Sequence, residues 1–149
     1  MKIIDISIDK IYPYLRNPRI NDKAVFQVAQ SLEAFGFQQP IVVDMDHVII
    51  AGHTRWAAAK ELGLATVPIL VADHLTKKQA DAYRIADNKT AEFSEWNFEL
   101  LRDALPELKD EFTGFDEMDI NALMAPEKEK TQSHEKEPIV CPGCGYVFE

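Results

Sequence analysis

The 149-residue chain has little cysteine, a deficit of positive charge and no long apolar run. Its two cysteines, Cys141 and Cys144, stand three positions apart near the C-terminus. Two cysteines cannot make a disulfide scaffold, and their spacing suits a metal or a redox pair better than a structural staple. No apolar stretch approaches the ~18 residues that cross a bilayer, so no membrane partner is expected. The opening MKIIDISIDKIYPY alternates Ile with Asp instead of carrying the apolar block of a signal peptide, and a cytoplasmic protein is the expectation. There are 16 Lys+Arg against 25 Asp+Glu, a formal net charge of −9. Residues 1–75 are nearly balanced, with 7 basic and 8 acidic groups, whereas 76–124 hold 6 and 12. Neutralising many phosphates requires a basic face, so tight wrapping of a duplex is not expected. One small polyanion held at a local site stays open.

What is present is ordinary globular material, 46% hydrophobic and 28% charged, enough for one domain and a small appendage. Ile4, Ile6 and Ile8 alternate with Asp5, Ser7 and Asp9 in the period of a half-buried strand. Tyr12-Pro13-Tyr14 and Asn17-Pro18-Arg19 make a loop of 12–20. After Asn21 as N-cap, Val25, Val28, Ala29, Leu32 and Phe35 recur at helical spacing as far as Gly36, predicting a helix over 22–35. Ile41-Val42-Val43 and Val48 to Ala51 form a hairpin about Asp44 to His47. Residues 53–62 are helix formers ended by Gly63, and Val67 to Val71 reads as a strand whose Pro68 favours an edge. Thr76-Lys77-Lys78-Gln79 is a capping box opening a helix to about Asn88. Ser94 caps a second helix with Phe98, Leu101 and Leu105, and Asp116 caps a third ending near Met124. The organisation expected is a core over 1–75, a helical extension over 76–124, a polar flexible linker over 125–138 and a terminal module over 139–149.

The strongest chemical signal is Val48-Ile49-Ile50-Ala51-Gly52-His53-Thr54-Arg55. A buried strand that runs through one glycine into a helix leaves that helix's first N–H groups exposed at the end of the sheet, a ready anion site. Gly52 permits close approach, Thr54 offers a hydroxyl, His53 a ring nitrogen and Arg55 a fork matched to phosphate. The alternative is a tight turn whose Arg pairs with a neighbouring Asp. In the turn Gly36-Phe37-Gln38-Gln39-Pro40 the two amides suit a base or ribose edge, or else simply form a polar loop after a C-cap glycine. At Asp87-Asn88-Lys89 a lysine could meet phosphate and Asp87 could ligate Mg²⁺; the alternative is a frayed helix end in which Asn88 caps and Lys89 complements the dipole.

In this order, Asn17-Pro18-Arg19, Ser31-Leu32, Gly36 to Ile41, Ala51-Gly52-His53-Thr54-Arg55 and Val67-Pro68 resemble the ParB N-terminal domain family, which shares its fold with sulfiredoxin. The resemblance covers roughly residues 3–75. With Ala86-Asp87-Asn88 and the helical tail from Ser94 to Leu105, it is nearest to the phage and mobile-element subgroup, a ParB-like nuclease domain family associated with DNA methyltransferases. It implies an α+β fold, a small mixed sheet packed with helices and followed by a helical tail. It also implies a nucleoside triphosphate of CTP or ATP type with Mg²⁺, bound in support of DNA modification, partition or maintenance. Gly52, His53, Thr54 and Arg55 would hold phosphates, Gly36, Gln38 and Gln39 would lie near sugar or base, and Asn88 with Lys89 would close the site. Partition ParB proteins carry Gly-Glu-Arg-Arg at this box, so His53 and Thr54 replace a glutamate and an arginine. Sulfiredoxin carries its catalytic thiol there; with no cysteine before Cys141, sulfinic-acid reduction is excluded. The competing readings are a metal-dependent nuclease, a small-molecule phosphotransferase in the same pocket, or a non-catalytic adaptor. The DNA reader of partition ParB is not recognised here, so DNA is expected only as an indirect or weak partner, through a DNA-processing protein such as a methyltransferase. Cys141-Pro142-Gly143-Cys144 resembles half of a zinc ribbon; a closed Zn²⁺ site needs four ligands, of which these cysteines supply two, His134 could be a third, and a second chain in a homodimer could supply the other pair.

Overall fold

The computed structural model describes residues 2–125, 139–140 and 147–148. Its centre is a four-stranded sheet of β1 (Ile3–Ser7), β2 (Ile41–Val43), β3 (Ile49–Ala51) and β4 (Thr66–Val71), ordered β1-β4-β2-β3. β1 is antiparallel to β4, β4 parallel to β2, and β2 antiparallel to β3. The sheet is therefore mixed, as expected. The hairpin forms where its sequence places it: Asp44 Oδ1 accepts from the backbone N–H of Asp46 and of Val48, at 3.0 and 2.9 Å, which closes the turn. One expectation fails. Pro68 does not mark an edge, because β4 lies between β1 and β2. The proline sits opposite Asp5 in the antiparallel ladder, but the parallel ladder begins only at Ile69, so its missing donor has an unpaired side to face.

Five helices accompany the sheet among the described residues: α1 (Asp22–Phe35), α2 (His53–Glu61), α3 (Lys77–Ala91), α4 (Phe98–Ala104) and α5 (Glu117–Met124). Strand alternation divides the burial. Ile41, Val43 and Ile49 bury with Ile8, Ile11, Val67 and Ile69, whereas Ile50, with Val42 against it, joins Ala72 and Ala80. The second cluster draws in Ala80 of α3, so both sides of β3 are covered. Ile41, Ile49, Ile50 and Ile69 are all but inaccessible, each contributing about 1.5–3 kcal/mol by burial. α1 packs on α2 through Val25, Ala29 and Ala58.

β3 ends the sheet, yet its outer edge is not bare. The Ile49 N–H donates to the Tyr12 carbonyl at 2.9 Å, and the Ile49 carbonyl accepts from Arg84 Nε at 2.9 Å. Loop and helix thus satisfy the edge groups that a free strand would expose.

The Thr76–Gln79 capping box forms as read, and Asp116 forms another with Asp119. α4 begins later than expected: Asn97, not Ser94, is its N-cap, and Asn97 Oδ1 accepts from the Glu99 and Leu100 amides. Contacts divide the chain into two units, Met1–Phe115 and Asp116–Glu149. In the second unit β5 (Ile139–Val140) and β6 (Val147–Phe148) pair antiparallel, Ile139 opposite Phe148. Cys141, Cys144 and residues 126–138 lie outside the described residues, and with them the linker and zinc expectations. Among the described residues no helix is long and apolar enough to cross a membrane.

Candidate functional site

The site starts from one backbone requirement. The chain must leave β3 and turn at once into α2, and Gly52 does this at φ +100°, in the left-handed region that side chains avoid. α2 has no side-chain N-cap, and its first ladder bond is Trp56 N–H to the Gly52 carbonyl. The amides of His53, Thr54 and Arg55 therefore have no acceptor within the helix. They open on a cleft of about 260 Å³ whose walls include Asn17, Asn21, Thr54, Asp87 and Asn88. That volume is smaller than a typical ligand pocket of about 300–1,000 Å³. A ligand that needs a pocket of ordinary size would extend outside it.

Arg55 folds back over this junction. A Cβ built on Gly52 would stand 3.5 Å from Arg55 Nε and 3.5 Å from Ile41 Cα. Arg55 Nη1 donates to the Gln39 carbonyl at 2.9 Å and the Pro40 carbonyl at 3.1 Å, so the side chain also ties α2 to the turn before β2. Its partners are carbonyls, not a carboxylate, so the pairing with a neighbouring Asp that the alternative reading required is not what holds it. Burial lowers the Arg55 pKa, and the Asp87 carboxylate opposes that shift.

His53 is committed on one side. Its Nε2 accepts from the Tyr14 N–H at 3.2 Å, which places the proton of the neutral ring on Nδ1. Burial first, then the Arg84 charge, lowers its pKa below 6.5.

The other nominated residues divide. Asp87 and Asn88 line the cleft, brought there by the C-terminal half of α3, and the Asn88 amide donates to the Arg84 carbonyl at 2.8 Å. Lys89 does not line it; its Nζ lies 2.9 Å from Glu92 Oε2 and 5.3 Å from the Phe93 ring centroid. Arg19 binds the same Glu92, and the hydrogen bonds of Lys89 and Arg19 hold that carboxyl below its ordinary range. Gly36 ends α1 with φ +68°, its N–H donating to the Leu32 carbonyl. The Gln38 amide donates to the Phe35 carbonyl at 2.5 Å, and Gln39 reaches the site only through its carbonyl to Arg55. Asn17 and Asn21 were missed as site residues. Asn17 belonged to a loop motif and Asn21 read as a helix cap, yet Asn21 makes no side-chain cap bond and faces the cleft instead. Among the described residues no three His, Cys, Asp or Glu side chains gather as a metal site.

Comparison with known proteins places this architecture. The family model described as the ParB N-terminal domain matches residues 1–88. The chain belongs to the ParB N-terminal domain family. The Escherichia coli K12 "ParB-like nuclease domain-containing protein YnaK" is 35% identical over 80 residues, covering 53% of this chain and 92% of that one. The Vibrio cholerae "Probable chromosome-partitioning protein ParB" is 38% identical over 76 residues, but the match spans 47% of this chain and only 26% of the relative. This ParB-family chain thus spans about a quarter of that partition protein. Among solved structures, the C-terminally truncated ParB of Caulobacter crescentus complexed with CTP-gamma-S aligns with a TM-score of 0.60 at 23% identity, covering 83% of this chain and 71% of that one. At that identity the likeness establishes the fold.

One expectation is corrected by the comparison. DNA was expected as an indirect or weak partner, yet the C. crescentus ParB has been solved complexed to the centromeric parS site, so that relative engages a specific DNA directly. Net charge sums over a whole chain, whereas DNA is met by a local surface, so the charge balance is no ground for that expectation.

Proposed function

We propose that this chain is a ParB-type nucleotide-binding module that takes CTP at the Gly52 cleft and acts on DNA in partition or maintenance. The observation that carries the reading is the junction itself: helix amides without acceptors, a glycine that leaves them accessible, and the Arg55 guanidinium beside them. The C. crescentus ParB complexed with CTP-gamma-S supports the choice of nucleotide. In this reading Gly52, His53, Thr54 and Arg55 take the phosphates, Asn17, Asn21 and Asn88 flank them, and Gln39 holds Arg55 through its carbonyl. Asp87 is the carboxylate that lines the cleft, so a Mg²⁺ ion would draw its remaining oxygens from the phosphates and water. A nuclease, a word that stands in the E. coli relative's domain name, would require a fuller carboxylate cluster than the described residues bring to the cleft. A methyltransferase partner, suggested by the resemblance of Gly52 to Arg55 and Ala86 to Asn88 to the mobile-element subgroup, and a Zn²⁺ shared at Cys141 and Cys144 between two chains belong to the same proposal.

Calorimetric titration with CTP, ATP and GTP, each with Mg²⁺, tests it. Saturable binding of CTP that is lost in Arg55→Ala supports the reading. No binding of any of the three leaves an adaptor, and nicking of supercoiled plasmid with divalent metal would favour the nuclease.

A further inference from the structure

Arg84 is 5% exposed and does not line the Gly52 cleft. Its Nε donates to the Ile49 carbonyl at 2.9 Å, its Nη2 to Asp44 Oδ2 at 3.0 Å and its Nη1 to Asp81 Oδ1, while Cζ sits 4.2 Å from the Tyr14 ring centroid. One side chain thereby joins α3, the edge of β3, the hairpin turn and the loop of 12–20. Buried ion pairs contribute little net stability, because desolvation consumes most of the attraction. What this one does supply is geometry. Tyr14, against which the guanidinium stacks, is the residue whose N–H meets His53 Nε2 at 3.2 Å. Arg84 also anchors the helix that carries Asp87 and Asn88 to the cleft.

We infer that Arg84 is a positioning residue for the cleft. By stacking on Tyr14 it keeps the Tyr14 amide on His53 Nε2 and so holds the ring as the Nδ1–H tautomer, and by pinning α3 to β3 it sets Asp87 and Asn88 beside Gly52. The charge of Arg84 acts in the same direction, since a protonated ring would lose the Nε2 acceptor. The other polar and charged groups around His53 include Arg55 from its own helix, Asp87 and Asn88 from α3, Asp22 from the start of α1, and Tyr14, Asn17 and Arg19 from the loop, with Asp44 and Asp81 partly offsetting the guanidinium. The affinity arm below rests on the nucleotide reading; the ring arm does not.

The test uses the full chain, with the His53 ring followed by nitrogen-15 NMR without nucleotide and identified by its disappearance in His53→Gln. Wild type should show the Nδ1–H tautomer. Arg84→Met should mix the tautomers and move the titration upward, and CTP binding should weaken by roughly 3- to 30-fold, the span of remote coupling. A residue that merely held the fold would lower the melting temperature and leave the ring spectrum of the folded protein unchanged; that result overturns the inference. So does a wild-type Nε2–H tautomer, or full CTP affinity in a variant whose ring has changed. If Arg84→Met does not fold, Arg84→Lys, which keeps the charge but not the planar three-way geometry, must show the tautomer change, and an unchanged ring there is equally decisive. A wild type that binds neither CTP nor tripolyphosphate removes the nucleotide reading, and that outcome is visible before any Arg84 variant is examined.

Discussion

Gly52→Ala separates backbone strain from collision. Gly52 holds φ +100°, a conformation that costs an L-residue about 1–2 kcal/mol. A new Cβ would lie 3.5 Å from Ile41 Cα, 3.5 Å from Arg55 Nε and 3.6 Å from Arg55 Cζ, all ordinary contacts, so no steric cost adds to the strain. For a unit of this size 1–2 kcal/mol lowers the melting temperature by about 4–8 °C. The same methyl would stand against the guanidinium at the residue that opens α2, where in the proposed reading an anion must approach closely. CTP affinity should therefore fall by about tenfold or more, the equivalent of about 1.4 kcal/mol in excess of any folding effect. Differential scanning calorimetry and titration calorimetry on the same preparation give both numbers. A folded variant that binds CTP as well as wild type would refute the placement of the anion. A melting drop beyond about 15 °C would mean that the methyl collides, contrary to the 3.5 Å clearances.

Further outcomes follow from the same geometry. Arg55→Ala removes a charged fork from the cleft and should weaken CTP binding by roughly 10- to 100-fold, as lost charge-assisted hydrogen bonds do, with a smaller effect on melting because water replaces its two carbonyl contacts. His53 is held below its ordinary pKa of 6.5 by burial and by Arg84. Between the lowered folded value and 6.5 the unfolded chain binds more protons, so stability is full above about pH 6.5 and is lost as pH falls below it. His53→Gln, which retains an acceptor for the Tyr14 N–H but does not titrate, should flatten that slope in melting curves from pH 7.5 to 5. Asn97→Ala should cost about 1 kcal/mol and Ser94→Ala almost nothing, a difference that thermal melts would detect and that equal losses would contradict.

Local patterns alone placed much of this fold. Asp22–Phe35 is the helix that Val25, Val28, Ala29 and Leu32 require, and the β2–β3 hairpin and the Thr76 and Asp116 caps also stand where the residues put them. These features are legible because their causes lie within a few residues: periodic apolar burial, a cap three residues from its amide, a glycine where φ is positive. The Gly52-to-Arg55 junction was legible for the same reason. What the chain could not announce by itself is anything set by a partner distant in sequence. Pro68 lies in an interior strand because β1 and β2 flank β4, and it is tolerated there because the β2 ladder begins only at Ile69. Gln38 turns back to Phe35, Lys89 turns to Glu92, and Asn21 turns from helix cap to cleft wall. Arg84 shows this most fully. In the sequence it is one more charge on a helix, and only the packing of α3 against β3 and the loop of 12–20 takes it out of water and brings Asp44, Asp81 and Tyr14 around it. Sequence determined the elements and the strand–glycine–helix corner; tertiary packing decided which polar side chains line it, because each one goes to whichever partner the fold brings within hydrogen-bonding reach.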